Sequence, residues 1–148
     1  MPTADGLVEI TDAAAVRACH TLMLQLRPQL GSAEDWLLRF QRQTAAGYRV
    51  LAMLRSGQPV ALAGFRLQEN LVYGRFLYVD DLVTDAAARG AGHGAQLIAA
   101  LQAEAHTLGC ERLVLDTALG NVLAHRFYYR SGLLAQALRF GMPIALTL

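Results

Sequence analysis

The period of the apolar residues changes several times along this chain, and the first changes predict a strand followed by a helix. Leu7–Ile10 has the composition of a short strand. Thr11 or Asp12 then supplies a side-chain oxygen that can cap a helix. This helix is expected to end at Pro28 and Gly31. Its apolar positions at helical spacing are Val16, Cys19, Met23 and Leu26.

A second helix and three strands are predicted next. Ser32 is followed three residues later by Asp35, which resembles a capping box, and the helix that opens there is expected to bury Trp36 and to stop near Gly47. Turn-forming residues then separate three apolar or alternating runs. These runs are Tyr48–Arg55, Pro59–Gln68 and Tyr73–Thr84. Their short connections predict an antiparallel meander.

The pattern becomes helical again from Gly92 to Leu108, and the strand Arg112–Thr117 follows directly. A strand, a glycine-rich loop, a helix and a strand make a crossover, which predicts two parallel strands. A short helix over about Val122–Arg130 and a last strand or pair of strands over Leu133–Leu148 complete the chain. We therefore predict one α+β domain, residues 1–148, with a mixed, mostly antiparallel sheet and helices on both faces.

Composition excludes several chemistries. The 148 residues include 13 basic and 12 acidic ones, for a formal charge of +1. Every basic residue is arginine, so the chain has neither a Schiff-base lysine nor a P-loop lysine. No serine has the Gly-x-Ser-x-Gly setting of a nucleophile elbow. Because the net charge is near zero, we expect neither a nucleic acid nor a membrane surface as a partner.

The sequence also bears on location and on metals. No apolar run is long enough for a membrane helix, and the N-terminus lacks the basic and apolar regions of a signal peptide. We therefore expect a cytoplasmic protein. Cys19 and Cys110 are far apart in the sequence and have no histidines at zinc spacing. We expect reduced thiols and no metal site.

A glycine-rich loop lies between the last strand of the meander and the next helix, and consists of Arg89, Gly90, Ala91, Gly92, His93, Gly94 and Ala95. Its glycines and the helix N-terminus suit a phosphate or pyrophosphate. A tight turn without a ligand is the simpler alternative. A dinucleotide fingerprint also fits Gly90, Gly92 and Ala95, with Asp116 as a ribose ligand, although little chain remains for the rest of that fold. His93 is expected to face solvent rather than a phosphate.

Two motifs in this half of the chain resemble those of the GNAT family of N-acetyltransferases. The first is Arg89-x-x-Gly92-x-Gly94. The second is Asn121-x-x-Ala124-x-x-Phe127-Tyr128-x-x-x-Gly132-Leu133, in which leucine replaces the family's usual final phenylalanine. The order of the elements is similar to that of the family from about Val8 onward, so the resemblance covers nearly the whole chain.

The resemblance implies that the chain uses acetyl-CoA. The loop from Arg89 to Ala95 would bind the pyrophosphate through its backbone amides. The backbone of Leu82, Val83 and Thr84 would pair with the pantetheine arm, and one amide there would polarise the acetyl carbonyl. Asn121 would cap its helix and contact the pantetheine.

The resemblance also implies catalytic roles. Tyr128 lies where the family has the tyrosine that protonates the departing thiolate, although a core aromatic is the alternative. Asp80 and Asp81 are adjacent in a strand, so we expect their side chains on opposite faces. The segment around them is similar to one in polyamine-acetylating relatives. Asp80 is therefore the first candidate for a base or an ammonium anchor and Asp81 the second, against a buried hydrogen-bond acceptor.

We expect the acceptor to be the amine of a small cationic molecule, polyamine-like or amino-acid-like. In the family, the first two helices and the ends of the last strands form the wall of the acceptor site. The acidic residues that suggest this charge are Asp80, Asp81, Glu34 and Asp35. A protein N-terminus or lysine is the second acceptor class. A non-catalytic acyl-CoA sensor is the alternative to an enzyme. Family members often form dimers, so a homodimer is a further expectation.

Overall fold

Five strands and five α-helices form within residues 5–146, the part of the chain that the computed structural model describes. The strands are β1 (Gly6–Ile10), β2 (Tyr48–Arg55), β3 (Gln58–Asn70), β4 (Gly74–Thr84) and β5 (Arg112–Leu115). The helices are α1 (Ala13–Ala18), α2 (His20–Leu26), α3 (Ala33–Thr44), α4 (His93–Thr107) and α5 (Val122–Arg130). Short 3₁₀ turns cover Pro28–Leu30 and Ala86–Ala88.

All five strands belong to one sheet with the order β1-β2-β3-β4-β5. The first four strands pair antiparallel, and β5 pairs parallel to β4 because α4 carries the chain back across the sheet. This mixed sheet confirms the predicted fold class. The meander and the crossover are also where the apolar pattern placed them.

The helices before the sheet differ in one detail from the prediction. The first predicted helix is two short helices, α1 and α2, which meet at Cys19. Asp12 is the N-cap of α1, since its Oδ1 accepts from the backbone N–H of Ala15 at 2.9 Å. The capping box of α3 is confirmed, because Ser32 and Asp35 bond each other's backbone N–H. Burial raises the pKa of the Cys19 thiol to about 12, which keeps it protonated.

Each face of the sheet has its own hydrophobic core. Helices α1 to α3 cover one face, where the buried residues include Val16, Trp36, Tyr48, Val50 and Leu62. Helix α4 covers the other face with Leu97 and Leu101, which pack with Phe65, Leu77 and Val79. Helices on both faces were predicted, and the alternation of side chains along the strands is the reason that both faces can be apolar.

The chain divides into two compact units. The first unit ends at Leu115 and contains the whole sheet with α1 to α4. The second unit begins at Asp116 and contains α5. Within it, Arg139 forms an ion pair with Asp116 at 3.1 Å. That the two units form one domain stays a prediction.

The predicted strand or pair of strands over Leu133–Leu148 is wrong for the residues that the structure describes, because 133–146 contain no strand. Residues 147 and 148 lie outside the described part. Six large apolar side chains of this segment are 65–88% exposed. They are Leu134, Leu138, Phe140, Met142, Ile144 and Leu146. Their near-alternation is typical of a strand, but a strand needs a paired edge, and the described residues of the second unit provide none.

Candidate active site

A β-bulge interrupts β4 at the two predicted catalytic carboxylates. Gly64 of β3 pairs with Asp81, whereas the next residue, Phe65, pairs with Val79. Asp80 therefore has no partner on β3. A bulge breaks the alternation of side chains at this point of the strand.

The bulge corrects the expectation that Asp80 and Asp81 face opposite ways. Tyr48 and Arg66 are direct partners across β2 and β3, so their side chains are on the same face of the sheet. Arg66 binds Asp80, and Tyr48 binds Asp81. Both carboxylates therefore reach the face that α1 to α3 cover. Alternation would have separated them, but the extra residue turns both to one side.

Asp80 is held by a bidentate ion pair. The Nε and Nη2 atoms of Arg66 donate to its two carboxylate oxygens at 2.8 and 2.7 Å. The guanidinium of Arg66 also lies 5.4 Å from the centre of the Tyr78 ring. Because the planar guanidinium contacts both the carboxylate and the Tyr78 ring, it fixes the Asp80 carboxylate in one orientation.

Asp81 is held by two different donors. The Tyr48 hydroxyl donates to its Oδ2 at 2.6 Å, and Arg27 forms an ion pair with its Oδ1 at 3.0 Å. Arg27 also donates to the backbone carbonyl of Asp80 at 2.8 Å. Burial and the Asp81 carboxylate raise the pKa of Tyr48 above its usual range, so the phenol remains a donor. We call Arg27, Tyr48, Arg66, Asp80 and Asp81 the bulge cluster.

A cleft of about 200 Å³ opens beside the bulge cluster. Its wall comes from α2, the following 3₁₀ turn and α3, with β2 and β4 at its base. The polar residues that line it are Arg27, Gln29, Arg39, Gln43, Tyr48 and Asp81, and the apolar ones are Met23, Leu30 and Trp36. Asp80 is not among the lining residues. Glu34 and Asp35 are not among them either, since Glu34 pairs with Arg17 and Asp35 with Ser32.

The strand edge next to this cleft is open. β5 pairs with β4 only up to Val79, so in the described chain the stretch from Asp80 to Thr84 has a neighbouring strand on the β3 side alone. The N–H of Asp85 donates to the carbonyl of Val60 at 2.8 Å. In an antiparallel pair the direction of the backbone groups alternates, so those of Val83 point to β3 and those of Leu82 and Thr84 to the open edge.

The open edge leads into the glycine-rich loop. Gly90 and Gly92 have φ values of 88° and 79°, which favour glycine, and a side chain at either position would meet no described atom within 4 Å. Gly92 is the N-cap of α4 and supplies no side-chain cap. Within the described chain, no backbone N–H from residue 90 to 95 donates to another residue. These free amides, the space before them and the exposed Arg89 fit a pyrophosphate group.

His93 corrects a second expectation. It was expected to face solvent, but only 6% of it is exposed. It begins the stripe that continues with Leu97, Leu101 and Ala105, which places it on the buried face of α4. The four-residue spacing from His93 to Leu97 and Leu101 is present in the sequence and could have predicted that His93 is buried. The histidine side chain is therefore buried, and only its backbone amide is available among the free amides of the helix N-terminus.

Gln25 of α2 joins the cleft wall to the loop region. Its amide nitrogen donates to Asp85 Oδ1 at 3.2 Å, and its amide oxygen accepts from the backbone N–H of Ala86 at 3.1 Å. Asp85 also caps the 3₁₀ turn by accepting from Ala87. No sequence motif marks Gln25, because this contact joins residues about sixty positions apart.

The other two predicted site residues belong to the second unit. Asn121 caps α5, since its Oδ1 accepts from the N–H of Ala124 at 3.3 Å. Tyr128 is partly buried on the same helix, with its ring 5.5 Å from that of Phe127. Burial raises the pKa of the Tyr128 phenol, so it keeps its proton at neutral pH. Its predicted catalytic role stays a prediction.

The first unit brings together the predicted carboxylates, the predicted strand edge and the predicted loop. Sequence reasoning missed Arg27, Tyr48, Arg66 and Arg39, which surround the carboxylates or line the cleft. These residues lie in ordinary helix and strand patterns, so no local signal marked them. Only the strand register and the packing of α2 and α3 place them there.

Two further findings concern the described residues as a set. No three histidine, cysteine, aspartate or glutamate side chains among them come together as metal ligands would. None of their helices has the length and apolar character needed to cross a membrane.

Comparison with known proteins gives a family match. The family model described as the acetyltransferase (GNAT) family matches residues 15–133. An aminoalkylphosphonate N-acetyltransferase from Salmonella typhimurium is 33% identical over 88 residues, which are 59% of this chain and 57% of that protein. The chain thus spans little more than half the length of this curated relative.

Solved structures show the same fold. An aminoglycoside N-acetyltransferase in complex with CoA superimposes with a TM-score of 0.82 at 16% identity, over 98% of this chain and 99% of that chain. Glucosamine-6-phosphate N-acetyltransferase from Arabidopsis thaliana superimposes with a TM-score of 0.73 at 18% identity, over 94% and 99%. At these identities the likeness concerns the fold alone.

Proposed function

The chain belongs to the acetyltransferase (GNAT) family, and we propose that it transfers the acetyl group of acetyl-CoA to the primary amine of a small molecule. One observation carries the proposal most: the open edge of β4 joins the acceptor-sized cleft at Asp81 to the free amides of the loop after Arg89. An extended donor molecule with a phosphate at one end and a reactive group at the other fits such an edge.

The cofactor-binding residues follow from this edge. The amides of Gly90 to Ala95, with Arg89, would hold the pyrophosphate. The outward backbone groups of Leu82 and Thr84 would pair with the pantetheine amides, and Val83 would keep its bonds to β3. Asn121 is proposed to contact the same arm in addition to capping α5. When bound, acetyl-CoA supplies the thioester whose carbonyl carbon the amine attacks.

The acid in the proposed reaction is Tyr128. As the new bond between nitrogen and carbon forms, the bond between carbon and sulfur breaks, and the sulfur takes the phenolic proton of Tyr128. The ammonium group of the acceptor would lose one proton before the attack and a second as the amide forms, both to solvent or to a carboxylate, and solvent would return a proton to the Tyr128 phenolate. Burial raises the pKa of Tyr128, so the phenol holds its proton at neutral pH, and its donation to the departing thiolate depends on its being held close to the sulfur.

The geometry favours Asp81 over Asp80 as the carboxylate that meets the amine. Asp81 lines the cleft, whereas Asp80 is turned to Arg66. Asp81 is also the residue before Leu82, where the open strand edge presents its first outward backbone groups. We therefore propose Asp81 as the ammonium anchor or proton acceptor, and Asp80 as its support within the bulge cluster.

A small acceptor agrees with the site. Pockets for drug-sized ligands usually have volumes of about 300–1,000 Å³, and this cleft has about 200 Å³. The Salmonella relative is named for an aminoalkylphosphonate and the CoA-bound structure for an aminoglycoside, both of which are amines. A protein N-terminus or lysine side chain is the second candidate acceptor class.

The direct test is an amine screen with the purified full chain and acetyl-CoA, in which release of the CoA thiol is measured. We expect thiol release that depends on a small primary amine, with the acetylated amine identified by mass spectrometry. Binding of acetyl-CoA without consumption of any amine would instead identify an acyl-CoA sensor.

Substitution of Tyr128→Phe tests the proposed acid. We expect kcat to fall by about a hundredfold or more, which is the usual contribution of general acid catalysis, while the Kd for acetyl-CoA stays unchanged. Tyr129→Phe, at the exposed neighbour on α5, is the matched control and should leave kcat unchanged. Since burial raises the pKa of Tyr128, any loss of kcat from its ionisation should occur only above about pH 10. Wild-type turnover in Tyr128→Phe would refute the assignment.

A further inference from the structure

The charges in the cleft differ from those expected for a purely cationic acceptor. Two guanidinium groups, from Arg27 and Arg39, line the cleft, against the single carboxylate of Asp81. That carboxylate already accepts from Tyr48 and Arg27. The lining therefore has an excess of positive charge at the place where an acceptor would bind.

The positive charge of Arg39 is not neutralised by an ion pair within the described chain. Asp35, one helical turn earlier, attracts it electrostatically, but the Asp35 carboxylate bonds Ser32. The exposed guanidinium of Arg39 is thus free to bind an anion in the cleft.

Arg27 provides a second, fixed guanidinium. Its Nε and Nη2 atoms are engaged with Asp81 and with the carbonyl of Asp80, so the side chain is held in place. Its Nη1 group makes no hydrogen bond to the described residues, and 44% of the side chain is exposed. Gln29 and Gln43 add amide donors to the same cleft. Arg39, Arg27 and these amides form a donor-rich wall facing one carboxylate.

We propose that the acceptor is a short amine that also carries an anionic oxygen group, a phosphonate, phosphate or carboxylate, which Arg39 and Arg27 bind while Asp81 meets the ammonium group. This inference rests on the proposed acetyltransferase function and names its substrate class. The arrangement matches a zwitterion, because it offers one negative and two positive groups within a cleft of about 200 Å³. A diamine would place its second ammonium group against Arg39 and Arg27, which like charges disfavour.

The test compares four acceptors of similar length: aminopropylphosphonate, γ-aminobutyrate, butylamine and putrescine. We expect kcat/KM for at least one anionic acceptor to exceed that for butylamine about tenfold or more, as charge-assisted hydrogen bonds allow. The ratio between the phosphonate and the carboxylate then identifies which anion the cleft prefers. A higher kcat/KM for putrescine or butylamine than for both anionic acceptors would overturn the inference and leave the proposed function intact.

Arg39→Gln is the decisive variant, because it removes the charge without breaking an ion pair. We expect it to lower kcat/KM for the anionic acceptors about tenfold or more, and to change the value for butylamine much less. Arg42→Gln, on the same helix but outside the cleft, is the matched control and should change none of these values. An equal effect of Arg39→Gln on all four amines, or no effect, would refute the role of Arg39.

A binding experiment separates failure of this inference from failure of the proposed function. Propylphosphonate, which has no amine, should bind the wild-type chain in calorimetry and bind Arg39→Gln at least about tenfold more weakly. If no amine is acetylated but this difference is observed, the anion site is supported and the proposed transfer is wrong. If propylphosphonate binds both proteins equally or neither, the anion site is wrong.

Discussion

Gly64 of β3 lies opposite Asp81, and its missing side chain leaves the space that the Tyr48 hydroxyl occupies. A Cβ atom at this position would collide with that hydroxyl and approach Asp81 Oδ2 to 2.6 Å. Its φ angle is not in the left-handed region, so this glycine is needed for room and not for backbone freedom. The hydrogen bond between Tyr48 and Asp81 therefore depends on a residue that contributes no side chain.

Substitution of Gly64→Ala should destabilise the fold. We expect the free energy of unfolding, measured with urea, to fall by about 1–3 kcal/mol, which is typical of an extra methyl group in a filled core. In a Tyr48→Phe background the same substitution should cost less, because the hydroxyl that the methyl group meets is absent. An equal loss of stability in the two backgrounds would show that the contact with the Tyr48 hydroxyl does not cause the destabilisation.

At the scale of elements, the lengths of two neighbouring strands create the cofactor edge. β4 continues to Thr84, whereas β5 ends at Leu115, which is paired with Val79. The last residues of β4 therefore keep outward backbone groups that would form hydrogen bonds with β5 if β5 were longer. The bulge lies at the start of this free stretch and turns Asp80 and Asp81 to the cleft side.

Proline substitutions can distinguish the two directions of these backbone groups. Thr84→Pro removes an N–H that points to the open edge, so we expect acetyl-CoA to bind about tenfold or more weakly with a small change in Tm. Val83→Pro removes an N–H that points to β3 and should lower Tm strongly, since proline breaks a sheet ladder. Calorimetry and thermal unfolding measure the two effects. Unchanged acetyl-CoA binding in Thr84→Pro would argue against the pairing with pantetheine.

At the scale of the whole molecule, cofactor choice decides between the two interpretations of the glycine-rich loop. The family match favours acetyl-CoA over a dinucleotide. A ligand that binds only the folded chain raises its stability in proportion to the logarithm of the ligand concentration. Thermal stability therefore reports which cofactor the molecule accepts, without any knowledge of the acceptor amine. Self-association of the chain stays a prediction.

We expect CoA at about a hundred times its Kd to raise Tm by roughly 5–10 °C, and NAD at the same concentration to leave it unchanged. Gly92→Asp should abolish the shift, because it places a carboxylate among the amides of the loop. Gly109→Asp is matched in backbone strain, with a φ of 71° against 79° for Gly92, and should keep the shift. A shift with NAD and none with CoA would restore the dinucleotide interpretation.

The sequence by itself determined the fold class, the family and most of the elements as far as α5. Apolar periodicity, the cap at Ser32 and the two glycine-containing motifs are local signals, because each depends on residues a few positions apart. For this reason the meander, the crossover helix and the loop before α4 were predictable. The same locality explains the error over 133–146, where the apolar pattern of a strand is present without a paired edge.

The tertiary structure alone decided how the site is charged. The bulge at Asp80 depends on how β3 and β4 are aligned, and it placed both carboxylates on one face against the rule of alternation. Arg66 and Arg27 reach those carboxylates from 14 and 54 residues away. Such pairings are set by strand register and by helix packing, which no local pattern encodes. The acidic residues suggested a cation site in the sequence, and only the fold revealed the arginines that face them.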